Sequence, residues 1–275
     1  MTSSTSLTVI QSTGVIGAEI GGVDLTKPLD TATVESITKA LHEHQVLFFR
    51  DQPITDSQHR DFGANFGTLQ HFPFAPAVSD EIPEVHRLDN DSGGKDRAPD
   101  KSADNWHSDA TYMEFPPLGS ILRAIRLPIV GGDTLWANMY AAYEGLSSRM
   151  QQMLDGMTAV NDAAKISQGN REAVHKRFPP REHPVVRTHP DTGRKLLFVN
   201  SLFTTRLVGL SERENTHVLS LLTDHVQQPE FQVRFRWESN SIAFWDNRCT
   251  QHYAVPDYTE PRLMRRVVIE GTRPE

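Results

Sequence analysis

The segment Asn105-Trp-His-Ser-Asp-Ala-Thr-Tyr112 carries two strong metal ligands, His107 and Asp109, two residues apart. On an extended backbone the side chains at i and i+2 emerge on one face, so an imidazole and a carboxylate spaced this way reach one ion together. A bare H-x-D pair is common by chance and needs a third ligand. His252, in Trp245-Asp-Asn-Arg-Cys-Thr-Gln-His-Tyr253 just past a hydrophobic run, supplies one. Two neutral nitrogens and a carboxylate on one side of an ion form the facial triad that suits non-heme Fe(II) and leaves the other coordination positions open. Zinc takes the same ligands with one water, so ligand type alone leaves a zinc-dependent hydrolase as the alternative.

Arginine is the next signal. Arg262 and Arg266 lie four apart in a strand-like run and project to the same face, with backbones roughly 13 Å apart. A buried guanidinium needs an anionic partner, and its planar fork fits a carboxylate with two parallel bonds. This pattern suggests a bound dicarboxylate. Pairing with internal Asp or Glu, or an outer-face position beside Arg265, accounts for the same spacing.

The chain has 12 histidines, most of which need no function. His42, His44, His59, His175, His217 and His225 read as surface or partly buried packing residues, and His183 and His189, each before a proline, as turn residues. The single cysteine, Cys249, forbids an internal disulfide, fits a reducing cytoplasm and reads as a packing residue.

The elements that must hold these groups read as mainly β with peripheral helices. Helix signals run over Thr31 to His44, Thr55 to Phe66, Ala141 to Met157 and Ser211 to Val226, the last opened by the capping pattern Ser211-Glu-Arg-Glu214. Strand signals fall at Gln45 to Arg50, Gly119 to Arg126, Leu196 to Asn200, Gln232 to Trp237, Ser241 to Trp245 and Leu263 to Glu270. This order predicts an antiparallel barrel or sandwich in one domain, 1–275, not alternating βα units. Polar stretches near 89–105 and 162–182 read as mobile loops, the second as a lid or an ordinary surface insertion.

With 37% hydrophobic residues and a net charge of −7, the composition is that of a globular protein that buries a large core. The acidic balance argues against nucleic-acid binding. No run approaches the roughly 18 apolar residues of a membrane span, and no secretory leader is visible. A cytoplasmic enzyme acting on a small molecule is the expectation.

Longer stretches carry a resemblance. GAEIGGVDLTKPL, HQVLFFRDQPIT, NWHSDATYMEFPPLGSILRA, LPIVGGDTLWANMYAAYEGLS, HPVVRTHPDTGRKLLFVN and FWDNRCTQHYAVPDY with RLMRR occur in an order that resembles the TauD/TfdA family of Fe(II)- and 2-oxoglutarate-dependent dioxygenases over nearly the whole chain. The resemblance implies a double-stranded β-helix (jelly roll), with His107, Asp109 and His252 as ligands of Fe(II). It implies that Arg262 grips the distal carboxylate of the cosubstrate 2-oxoglutarate, that Thr134 assists it, and that Arg266 faces an anionic group of the primary substrate. It implies O2 as oxidant, succinate and CO2 as products, and a homodimer or homotetramer.

Positions that line the taurine pocket in this family depart here. Phe72, beside His71, stands where a sulfonate-binding histidine is expected, and Ala75 and Ala103 replace a tyrosine and an asparagine. Phe72, Phe74, Ala75, Ala103, Ala110 and Phe203 would make an apolar pocket, with Arg266 left for an acidic head. The expected substrate is therefore a small organic anion with a hydrophobic body: a sulfonate, an alkyl sulfate or an aryloxyalkanoate. Core packing is the other reading of the phenylalanines.

Overall fold

The computed structural model describes residues 7–71, 76–89, 105–166 and 170–275. Its centre is an eight-stranded sheet in the order Thr8–Gln11, Ala18–Gly21, Val46–Phe49, Ile242–Asp246, Gly119–Arg126, Leu263–Ile269, Ile82–Asp89, Ala77–Ser79. A three-stranded sheet, Gln232–Phe235, Thr134–Asn138, Thr250–Ala254, packs on one face. Smaller sheets are formed by Thr204–Leu207, Thr158–Asn161, Arg181–Pro184 and by Val186–Thr188 with Lys195–Leu197. Pairing is antiparallel except between Ala18–Gly21 and Val46–Phe49.

Strand alternation divides two cores. Val46, Phe48, Leu122, Ala124, Ala243, Trp245 and Met264 point from the large sheet to Trp136, Val233 and Phe235 of the small one. Phe48 stacks on Phe235 with ring centroids 4.1 Å apart, which ties the sheets together. The intervening residues Leu47, Phe49, Ile121, Ile242 and Phe244 face outward onto the helices, meeting Ile37, Leu41 and Phe62. This double layer is the jelly roll, with helices applied to its outer face.

Local chemistry fixes the element ends. Helix Thr31–His44 is capped by Asp30 and stops at Gln45, whose left-handed backbone (φ 61°) turns the chain into Val46–Phe49. Helices Asp56–Ala64 and Glu212–His225 begin with complete capping boxes, Thr55/Gln58 and Ser211/Glu214. The long helix expected from Ala141 to Met157 is two short ones, Met139–Glu144 and Ser148–Leu154, because the Ser147 side chain caps the second.

Two other expectations change. Residues 162–182 are not wholly loop: they include the short helix Arg171–Arg177, tied back by Arg171 and His175 to the buried carboxylate of Asp162. Most of the HPVVRTHP stretch lies in strands Arg181–Pro184 and Val186–Thr188, while His189 opens the turn that follows, its carbonyl accepting the Gly193 N–H. Most of 89–105 lies outside the described residues.

Candidate active site

His252 sits in strand Thr250–Ala254, opposite Trp136, with its ring 4.9 Å from that of Trp245. The chain reaches this strand from the large sheet through a tight turn, where Cys249 N–H and Thr250 Oγ1 both donate to the Asp246 carbonyl. His252 therefore faces the space between the two sheets. His107 pairs with it through reciprocal backbone bonds, N–H to carbonyl at 3.1 and 2.8 Å.

Asp109 arrives differently from expectation. The backbone is not extended through it; it leaves the bridge at His107 and enters a turn in which Ala110 is left-handed, at φ 51°. Asn247 secures that turn: its Oδ1 accepts the Asp109 N–H at 2.6 Å and its Nδ2 donates to the Asp109 carbonyl at 3.1 Å. No local sequence signal marked Asn247, because its partner is 138 positions away.

The three ligand atoms lie within 4.8 Å of one another, and the Nε2 atoms of His107 and His252 are each 3.9 Å from Asp109 Oδ1. One ion with bonds of about 2.1 Å spans those separations. Donor chemistry agrees. His107 Nδ1 lies 2.7 Å from the Asn105 carbonyl, which places the proton there and leaves Nε2 with a lone pair. Burial, then the neighbouring His107, pushes the His252 pKa down to about 3, so its imidazole is neutral. Burial alone would raise the Asp109 carboxyl, but the Arg266 guanidinium beside it outweighs burial and the pKa is held near 2. Ser120 Oγ also donates to Oδ2 at 3.0 Å. The set fits a divalent cation.

Alternation on Leu263–Ile269 separates Arg266 from Arg265. Met264 and Arg266 point inward, while Arg265 pairs outward with Asp56. Arg266 Nη1 lies 3.2 Å from Asp109 Oδ1, so it meets an internal carboxylate that is also a metal ligand. Arg262, just before this strand, is packed against Gly132: a Cβ there would sit 3.3 Å from its Cδ and Nε, and Gly132 is left-handed. The Tyr258 ring lies 5.8 Å from the guanidinium carbon. Thr134, buried at the start of its strand, accepts a 3.0 Å bond from Trp237 Nε1.

Ala110 and Phe203 are buried together with Tyr112, Ala163 and Leu202. The Phe203 ring lies 6.2 Å from that of His107, and Tyr112 and Phe178, which sequence reasoning missed, complete the aromatic group. His71 is exposed. Phe72, Phe74, Ala75 and Ala103 lie outside the described residues.

A second buried trio, His189, Asp246 and Cys249, also brings its ligand atoms within 4.8 Å. The lone pairs of its histidine and aspartate are already engaged. His189 Nδ1 accepts N–H bonds from Asp191 and Thr192, its Nε2 faces Asp246 at 3.0 Å, and Arg248 takes up both Asp246 oxygens. This is a structural ion network, and it buries His189, read from the sequence as a turn residue. His59 is likewise fully enclosed.

A jelly roll with two imidazoles and one carboxylate inside it defines a metal-dependent enzyme of the double-stranded β-helix class. The family model for taurine catabolism dioxygenases, TauD/TfdA, matches residues 8–268, and the chain belongs to that family. It is 40% identical to an alpha-ketoglutarate-dependent sulfate ester dioxygenase of Pseudomonas putida, over 95% of this chain and 88% of that protein. It is 38% identical to an alkylsulfatase of Acinetobacter baylyi, over 94% of this chain and 83% of that protein. Among solved structures, a taurine dioxygenase from Burkholderia xenovorans superposes with a TM-score of 0.85 at 38% identity, covering 98% and 91% of the two chains.

Proposed function

We propose that this protein is an Fe(II)- and 2-oxoglutarate-dependent dioxygenase that hydroxylates a small organic anion with a hydrophobic body, releasing succinate and CO2. The observation that carries the reading is the convergence of His107, Asp109 and His252, from two distant segments, on one buried point. Fe(II), when bound there, supplies the activation of O2 that no side chain can provide.

The chain's own residues bind, orient and exclude. His107, Asp109 and His252 would hold the ion. Arg262, with Thr134, holds the distal carboxylate of 2-oxoglutarate, a charge-assisted contact that fixes the cosubstrate's direction. Arg266, which already meets Asp109 Oδ1, would also face the anionic head of the primary substrate. Ala110 and Phe203 face the body of the substrate, for which His71, Phe72, Phe74 and Ala103 are the further candidate contacts, and the aromatic group of Tyr112, Phe178 and Phe203 keeps water from the reacting carbon. The short helix Arg171–Arg177 borders that space, with Val174 and the following Phe178 packed on the same cluster.

Sulfate esters suit this arrangement best among sulfonates, alkyl sulfates and aryloxyalkanoates, given the two relatives named above. Hydroxylation at the carbon bearing the heteroatom gives a product that breaks at the C–O or C–S bond. The protein works in the cytoplasm as a homodimer or homotetramer. Family membership favours this oxygen chemistry over a zinc hydrolase on the same ligands. A panel of taurine, longer sulfonates, alkyl sulfates and aryloxyacids, scored by O2-dependent succinate yield, tests the reading. Highest yield with alkyl sulfates is expected, and highest yield with taurine would contradict the substrate class.

A further inference from the structure

We infer that Trp237 is a positioning residue for the cosubstrate: its indole N–H fixes the rotor of the Thr134 hydroxyl so that the hydroxyl proton is directed at the carboxylate held by Arg262. The inference rests on the 2-oxoglutarate reading above.

A threonine hydroxyl has one proton and two lone pairs, and an indole nitrogen can only donate. In the 3.0 Å contact between Trp237 Nε1 and Thr134 Oγ1 the threonine is therefore the acceptor. Its own proton remains, and among the described residues no acceptor takes it. An isolated hydroxyl would turn freely and present proton or lone pair alike to an incoming anion. Occupying a lone pair with a rigid donor restricts that rotation and biases the proton toward the remaining direction.

The donor is rigid because its ring is locked. Trp237 packs edge-on to Phe235 with centroids 5.0 Å apart and lies 6.4 Å from Trp136, and it is buried. Thr134 is fixed through backbone pairing with Phe235 on one side and Ala254 on the other. Arg262 lies against Gly132, two residues before Thr134, so the stem of the guanidinium packs on the stretch of chain that carries the hydroxyl. The arrangement explains why a tryptophan is used where a phenylalanine would fill similar space: the packing needs a ring, and the hydroxyl needs the N–H.

The test is a double-mutant cycle read as equilibrium binding of 2-oxoglutarate to the Mn(II)-loaded protein by calorimetry, without turnover. Trp237→Phe, which keeps the ring, should weaken binding about 3- to 10-fold, and Thr134→Val should weaken it at least as much. In the Thr134→Val background, Trp237→Phe should change affinity less than about twofold, and Mn(II) affinity should stay unaltered throughout. A full Trp237→Phe loss in the Thr134→Val background, or none in the wild type, would overturn the inference. Thr134→Ser, which keeps the hydroxyl and disturbs packing least, should retain the Trp237 dependence, and its absence there overturns the inference as well. Unchanged binding in Arg262→Ala and Thr134→Val would instead remove the cosubstrate reading itself.

Discussion

Arg266 Nη1 lies 3.2 Å from Oδ1 of Asp109, while Ser120 Oγ holds Oδ2 at 3.0 Å. Both oxygens of the metal-binding carboxylate are thus oriented by side chains of the large sheet. The same guanidinium helps keep that carboxyl ionised against the effect of burial. Arg266→Met should raise the Asp109 pKa, so that protons compete with the metal in mildly acidic solution. Fe(II) or Co(II) affinity should fall more between pH 7 and pH 5 in this variant than in the wild type. Parallel pH profiles would argue against the coupling.

Asn247 touches no ligand atom yet clamps both backbone groups of Asp109. Removing the amide leaves a buried N–H unpaired and lets the left-handed turn at Ala110 relax. Asn247→Ala is expected to lower metal affinity about 10- to 100-fold, the range seen when groups that orient ligands are lost. Titration with Co(II) measures this, and wild-type affinity in the variant would contradict the clamp.

Arg262 is the proposed anchor of 2-oxoglutarate. Its loss should cost about 2 to 4 kcal/mol of cosubstrate binding, because a carboxylate would be left in a site built for a pair. Arg262→Ala should therefore raise the 2-oxoglutarate Kd by roughly two orders of magnitude and leave metal binding unaffected. A Kd within threefold of wild type would remove that assignment.

Much of this was legible in the sequence because it is local. Strand Gly119–Arg126 and helix Thr31–His44 run as read, since a short apolar, isoleucine-containing run between prolines in the first and an Asp cap with helical apolar spacing in the second are written in neighbouring residues. His107, Asp109 and His252 are strong ligand types in suggestive settings, and they do converge. Strand Thr134–Asn138, which carries Thr134, was not legible: its residues TLWAN alternate no better than a turn, and pairing on both sides makes it a strand. Asn247 and Trp237 were missed for the same reason, since their partners are set by the fold. The left-handed Ala110 shows the converse: spacing predicted the right ligand pair on the wrong backbone.

His59 predicts a pH effect on stability. It is fully buried, with Nε2 3.1 Å from the Ile121 carbonyl, and burial together with nearby Arg123 pushes its pKa from 6.5 down to about 3. Below pH 6.5 the unfolded chain takes up a proton that the folded state refuses until about pH 3, so stability falls across that window as pH falls. The slope is about 1.4 kcal/mol per pH unit for one such group. His59→Gln should flatten the decline of the urea unfolding free energy between pH 6.5 and 4.5 by about that amount. Equal slopes for variant and wild type would show that His59 is protonated in the fold.

The central claim is that Asp109 and His252, with His107, hold one iron that couples O2 to a ketoacid. The direct measurement is succinate formed by purified protein with Fe(II), 2-oxoglutarate and an alkyl sulfate, in air and under argon, for the wild type, Asp109→Ala and His252→Ala. Succinate from the wild type in air alone is the predicted result. Succinate persisting in either variant, or substrate cleavage under argon with Zn(II), would contradict the account.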